Sequence, residues 1–90
     1  MVAVRIPPAL RAEVGGAREI SAHGGTVADV IESVVARFPA LGSLLFEDGV
    51  LAPYVNVYVG GEDIRTRDGI DTPVAEGTQV VLLPAMAGGS

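Results

Sequence analysis

The segment Thr26-Val27-Ala28-Asp29-Val30-Ile31-Glu32-Ser33-Val34-Val35-Ala36-Arg37-Phe38-Pro39 decides how the chain folds. Val27, Val30, Ile31, Val34, Val35 and Phe38 recur at i, i+3, i+4, i+7, i+8 and i+11, one continuous apolar stripe on a helix. Asp29, Glu32, Ser33 and Arg37 fall largely off that stripe. Thr26 can accept hydrogen bonds from the free backbone N–H groups of the first turn, and Asp29 three residues on resembles a capping box. Asp29 also suits the positive end of the helix dipole. Pro39 ends the helix, because the residue before a proline is pushed out of the α region. A single stripe of this kind needs an apolar sheet to lie on.

Both flanks supply strands. Upstream, Val2-Ala3-Val4-Arg5-Ile6 alternates with period two, and Pro7-Pro8 stops it. A short turn over Pro8-Ala9-Leu10-Arg11 and a hairpin turn at Gly15-Gly16 lead to a second strand, Ala17 to Ser21, antiparallel to the first. Gly24-Gly25 breaks the chain before the helix. Downstream, Leu41, Leu44, Leu45 and Phe46 make a short helical turn that adds core, and Glu47-Asp48-Gly49 turns the chain. Leu51 to Val59 forms a strand with Val55, Val57 and Val59 on one face and Tyr54, Asn56 and Tyr58 on the other. Gly60-Gly61 leads into a short strand, Asp63-Ile64-Arg65, and Thr72 to Gly77 is another short turn. Thr78 to Leu83 is apolar enough for a central strand covered on one face by the helix. The expected class is therefore α+β, in the order ββαβββ, a mixed sheet with one main helix packed on one face.

The ninety residues allow one domain, 1–84, followed by a slender tail, 85–90. An apolar fraction of 49% with a mean hydropathy of +0.45 excludes a disordered chain. No apolar run approaches the ~20 residues of a membrane span, and the start lacks a secretory pattern, so a cytoplasmic protein with no membrane role is expected. Eleven acidic residues oppose six basic ones, all arginine, for a net charge of −5. That balance argues against nucleic acid and for a basic protein partner. The absence of Cys removes disulfides, thiolate metal sites and a Cys nucleophile, and the absence of Lys removes Schiff-base chemistry.

The tail reads Pro84-Ala85-Met86-Ala87-Gly88-Gly89-Ser90. On composition alone it is a frayed chain end. A second reading makes it functional: without Cβ atoms, Gly88-Gly89 can thread a narrow channel, and Ala85 to Gly89 reach at most ~17 Å when extended. A glycine carboxylate is also the least hindered acyl group a chain can offer.

Three segments decide between these readings. Ile6-Pro7, Val55-Asn56-Val57-Tyr58-Val59 and Leu83-Pro84-Ala85-Met86-Ala87-Gly88-Gly89 together resemble the ubiquitin-like sulfur carriers of the MoaD/ThiS family, above all the CysO-type carriers of cysteine biosynthesis. The resemblance covers nearly the whole chain and implies a β-grasp fold. It further implies that an E1-like adenylating enzyme activates Gly89 with ATP and that a sulfur donor converts the acyl-adenylate to a thiocarboxylate. A sulfur-accepting synthase would then use that sulfur, and a metal-dependent peptidase would process the tail. ATP and metal belong to those partners, so this chain binds no cofactor and has no catalytic residue. Gly88 and Ala87 would thread the partner's channel. Tyr54 and Tyr58, with Val80 and Leu82 or their neighbours, would form a docking face on the open side of the sheet.

One residue departs from the family pattern. Ser90 follows Gly89, whereas an active carrier of this kind ends at the second glycine. Removal by a peptidase is the expectation; an appended residue and a loss of activity are the other two accounts. Two rival functions stay open, the small subunit of molybdopterin synthase and a ubiquitin-like protein modifier or plain binding module. The remaining chemistry-bearing residues read as bland. His23 has no second ligand near it, and a metal site needs three or four. Glu47-Asp48 and Glu62-Asp63 are solvated turns, and Ser21, Ser33 and Ser43 lack a convergent His and Asp.

Overall fold

The structure is a computed structural model and describes residues 1–47 and 50–84. The first strand, β1 (Val2–Arg5), pairs antiparallel with β2 (Glu19–Ala22), Val2 opposite Ala22 and Arg5 opposite Glu19. Helix α1 (Val27–Arg37) follows, then a short helix α2 (Ala40–Leu45) and a two-stranded ribbon of β3 (Phe46–Glu47) and β4 (Val50–Leu51). Strand β5 (Val55–Val59), the short β6 (Glu62–Asp63) and β7 (Gln79–Pro84) complete the chain. The main sheet has the order β2-β1-β7-β5-β6, with β1 and β7 parallel and every other pair antiparallel. The first and last strands thus sit side by side at its centre. With α1 laid on one face, this is the mixed sheet expected from the pattern of elements, in the β-grasp arrangement that the family resemblance implies.

The helix forms where the periodicity puts it. Thr26 stays extended and its Oγ1 accepts the Asp29 N–H at 3.3 Å, so the cap is made as the sequence suggests. Val27, Val30, Ile31 and Val34 are buried, and they share one core with Val2 and Val4, Ile20 and Ala22, Val55 and Val57, and Val80 and Leu82. Val35 and Phe38 pack against its edge, the Phe38 ring lying 5.4 Å beneath the Arg37 guanidinium carbon.

Four expectations change. The Gly15-Gly16 pair does not close a hairpin: a 3₁₀ helix from Pro8 to Val14 fills the connection and plugs Leu10 and Val14 into the core, with Gly15 as its left-handed cap. The strand expected from Leu51 begins only at Val55, because Pro53 cannot donate to a ladder, and Leu51 pairs instead with Phe46. The short strand is Glu62–Asp63, Ile64 and Arg65 having moved into a 3₁₀ turn (Ile64–Thr66). Leu44, expected in the core, is 40% exposed, since one turn of helix buries only Leu41 and Leu45. Gly60-Gly61 does behave as expected: both residues have positive φ, +57° and +89°, as a two-residue hairpin between β5 and β6 requires.

The segment Thr72–Gly77 is more than a turn. Val27 N–H donates to the Thr72 carbonyl at 3.0 Å and Val74 N–H to Gly25 at 2.9 Å, which ties the segment to the start of α1. Thr72 is fully buried, its hydroxyl donating to the Gly69 carbonyl at 2.7 Å and accepting the Asp68 N–H at 3.2 Å. A polar side chain placed there is tolerated because both its bonds are made.

Candidate functional site

Because β1 and β7 run parallel, the molecule has two distinct ends. At one, Gly77 N–H donates to the Met1 carbonyl at 3.2 Å, and the Met1 ammonium pairs with Glu76. At the other, β7 finishes at Pro84 opposite Val55, and the tail continues from there. Six strand residues separate the two ends by ~20 Å. Gly89, Gly88, Ala87 and Ser90 lie outside the described residues.

The root of the tail is built by three neighbouring pieces of chain. Leu83 faces Asn56, Pro84 faces Val55, and the backbone just before β5 is held by Arg65. Its Nη2 donates to the carbonyl of Pro53 and, at 3.2 Å, to that of Val55. These carbonyls flank Tyr54, which is 38% exposed. Arg65 itself is placed by the 3₁₀ turn: Ile64 is buried beneath it, and the Asp63 carboxylate accepts the Arg65 N–H at 2.9 Å. The Glu62-Asp63 pair, expected as a solvated turn, is the short strand β6: Asp63 caps the 3₁₀ turn that follows and Glu62 accepts from Arg67 Nη1 at 2.7 Å.

The open side of the sheet carries the alternate side chains of each strand. Register places Asp63, Tyr58, Val81, Arg5 and Glu19 in one row across five strands. A second row, nearer the tail, holds Asn56 and Leu83. Tyr58 and Val81 are half-buried and Leu83 is 45% exposed, an apolar stripe that runs toward the tail's root. Charged and polar groups border it, with Gln79 Nε2 donating to Glu19 at 3.0 Å.

This geometry corrects part of the expected docking set. Val80 and Leu82 are 0% and 1% exposed and belong to the core under α1, so their side chains cannot meet a partner. Their neighbours Val81 and Leu83 are the β7 residues on the open face. The run Val80-Val81-Leu82-Leu83 is apolar throughout and carries no parity of its own; polar Gln79, two and four residues before Val81 and Leu83, was the available signal for the outer face. Sequence reasoning also missed Arg65, whose role depends on carbonyls ten and twelve residues away.

The rest of the surface offers less chemistry. His23 is exposed between β2 and α1. Among the described residues no group of three or more His, Cys, Asp or Glu could hold a metal ion. No helix there is long and apolar enough to cross a membrane. A groove of about 300 Å³ beside α1 is lined by Ala28, Ile31, Glu32, Phe46 and Ile70, with one carboxylate and otherwise apolar walls.

Comparison with known proteins bears on the tail as well as the sheet. The sequence profile of the ThiS family matches residues 4–89. This chain belongs to the ThiS family. Within reach of that match, it is 40% identical over 91 aligned residues to the sulfur carrier protein CysO of Mycobacterium tuberculosis, covering 98% of each chain. It is 39% identical over 64 residues to small archaeal modifier protein 3 of Haloferax volcanii, covering 71% of this chain and 70% of that one. Among solved structures, a chain of the Amycolatopsis orientalis BexX/CysO complex superposes with a TM-score of 0.92 at 36% identity, covering 98% of this chain and 99% of that one. The ThiS-family match ends at Gly89, so Ser90 alone of the tail lies beyond it.

Proposed function

We propose that this protein is a CysO-type sulfur carrier that works through the carboxylate of Gly89 and catalyses nothing by itself. The observation that carries the reading is the continuity of the central strand with a family-matched Gly-Gly terminus: β7 ends at Pro84, and Ala85 to Gly89 follow it inside the ThiS match. A rigid sheet can then dock on an enzyme while a tail of at most ~17 Å enters its active site. The Gly89 carboxylate attacks the α-phosphorus of ATP on an E1-like enzyme, releasing pyrophosphate and leaving an acyl-adenylate. A sulfur donor displaces AMP from that carbonyl, and the product is a thiocarboxylate. A synthase then takes the sulfur for cysteine or another sulfur-containing product. ATP is bound by the partner, as is any metal used by the peptidase that removes Ser90.

The open-face stripe of Tyr58, Val81 and Leu83, with Tyr54 at its edge, is the docking surface in this reading. Its neighbourhood of acids and the net charge of −5 favour a basic enzyme surface. The carboxylate of Ser90, one residue too far along, would leave the Gly89 carbonyl in an amide that cannot be adenylated.

The test is ATP–pyrophosphate exchange by the E1-like enzyme of the same cell, with the full chain and with a chain ending at Gly89. Exchange is expected with the shorter chain only. Equal exchange with both would defeat the trimming of Ser90, and exchange with neither would defeat the carrier. Intact mass of the protein from its native cell is the companion measurement: loss of serine, with one carboxylate oxygen replaced by sulfur, is the expected species.

The likeness to a small archaeal modifier supports a second reading, in which Gly89 is passed to lysine side chains of other proteins. Isopeptide-linked conjugates carrying the Ala87-Gly88-Gly89 remnant would favour it over sulfur transfer.

A further inference from the structure

A second apolar surface lies on the helix side of the sheet, away from Tyr58, Val81 and Leu83. It is the groove of about 300 Å³ between α1, β3 and the 3₁₀ turn Gly69–Asp71. Ile31, which shares the core with Val80 and Leu82, is buried at its floor. Ala28 and Phe46 are half-buried, and Ile70 is 40% exposed. Ala28 contributes a single methyl, which keeps the helix wall of the groove low. The charges beside these residues are of one sign. Asp29, Glu32, Glu47 and Asp71 each directly follow a lining residue in the chain, and all four are exposed. Neither ion pair among the described residues, Met1 with Glu76 and Arg67 with Glu62, involves them. The one arginine of α1, Arg37, sits in its last turn and donates to the Ser21 carbonyl. Neighbouring Cα atoms are ~3.8 Å apart, so the four carboxylates act on the groove inside the ~10 Å screening length of 0.1 M salt. The open face differs, with Arg5 standing in the same row as Glu19 and Asp63.

We infer that this groove docks a basic segment of a partner protein: one large apolar side chain enters between Ala28, Phe46 and Ile70, and Lys or Arg residues on either side of it meet the four acids. The volume is at the low end of small-molecule sites, ~300–1,000 Å³, and has room for one anchoring side chain. A small ligand explains the surroundings less well. Only Glu32 lines the groove itself, so the other three acids are met by a chain that runs across the rim. A second copy of this protein is disfavoured, since each copy carries a net charge of −5 and brings further acids to an acidic rim. The groove and the open face are on opposite sides of the sheet, so both can be occupied at once. The inference is independent of the carrier reading and stands or falls on binding alone.

The test follows the backbone amides of the full, isotope-labelled chain by NMR while three blocked peptides are added. The first is acetyl-Gly-Arg-Leu-Arg-Gly-amide; the second has Ser in place of Leu, and the third has Glu in place of both Arg. Saturable shifts centred on Ala28, Glu32, Phe46 and Ile70 are expected with the first peptide, at an affinity about tenfold or more above that of the other two. Glu32→Gln should weaken that binding about two- to fivefold, the range of one exposed ion pair. Glu13→Gln, in the 3₁₀ helix that follows β1, should leave it unchanged. Ala28→Leu, which fills the groove with a good helix former, should abolish the saturable shifts. Should that variant fail to fold, Ile70→Ser, at a partly exposed position, should weaken binding about tenfold. Equal binding of the Ser peptide would reduce the site to charge attraction and overturn the proposal, as would parent-like binding in Ala28→Leu or Ile70→Ser. Equal or tighter binding of n-butylamine would assign the groove to a small cation and overturn it. Shifts of the same amides on dilution of the protein alone would assign it to a second copy, with the same consequence. Absence of saturable shifts with the first peptide overturns it as well.

Discussion

Val80 and Leu82 differ from Val81 and Leu83 by one step along β7, and the step changes everything about them. The first pair lies under α1 at 0% and 1% exposure; on the second face Val81 is half-buried and Leu83 is 45% exposed. Side-chain chemistry is the same on both faces, so the contrast comes from position alone. The covered face is filled by the helix stripe and holds the fold together. The open face keeps apolar area that no other described residue covers, and in the proposed reading an enzyme docks there. A carrier requires both: a core to keep its shape and an unsatisfied face beside the tail.

The largest expected effect breaks the covered face. Leu82→Ala should destabilise by about 2–5 kcal/mol, the transfer and cavity cost of a truncated core leucine, whereas Leu83→Ala should cost under about 0.5 kcal/mol. Urea denaturation of the two variants measures the difference, and equal losses would mean the two faces are not distinct. Next comes a position where the covered side packs against backbone itself. A Cβ on Gly24 would sit 2.6 Å from the Val30 nitrogen and 2.8 Å from Asp29 Cβ, in the first turns of α1. Gly24→Ala should therefore cost about 1–3 kcal/mol by overpacking, seen as a lower urea midpoint, while Gly25→Ala, where a Cβ meets nothing, gives a smaller change. The smallest effect belongs to the open face. Tyr58→Ala should weaken binding to the adenylating enzyme by about 1–2 kcal/mol in calorimetry and leave the fold in place. Unchanged affinity would remove Tyr58 from the interface.

Arg65 and Arg37 show a second division within the same molecule. Both guanidinium groups bond main-chain carbonyls, Arg37 that of Ser21 at 2.6 Å on the edge strand β2 and Arg65 those around Tyr54. Arg11 does likewise, its Nε donating to the Ile6 carbonyl at 3.1 Å. Half of the basic residues thus serve as backbone caps, work suited to the multi-donor arginine head, in a chain whose basic residues are all arginine. Composition shows the choice of arginine, and only the folded chain shows what the choice accomplishes.

Much of this was legible beforehand because it is local. The helix from Val27, its Thr26 cap and its end before Pro39 follow from spacing and from the chemistry of neighbouring residues. So do the Gly60-Gly61 hairpin and the alternation of Val55, Val57 and Val59. Pro53 carried the break between Leu51 and Val55, and an alternating pattern on both sides of it concealed the signal. The connection from Pro8 to Val14 was underestimated because a 3₁₀ helix has no long apolar period to announce it, only Leu10 and Val14 at a spacing of four.

The order of residues by itself determined one amphipathic helix, several short strands, and a Gly88-Gly89 pair just before Ser90, since each of these is written in spacing over a few residues. Tertiary structure decided which strands lie at the centre, which face of β7 is buried, and which arginine meets the root of the tail. Those outcomes depend on pairings between positions such as Ala3 and Gln79, or Arg65 and Pro53, and no local pattern encodes a contact between segments that meet only when the sheet closes.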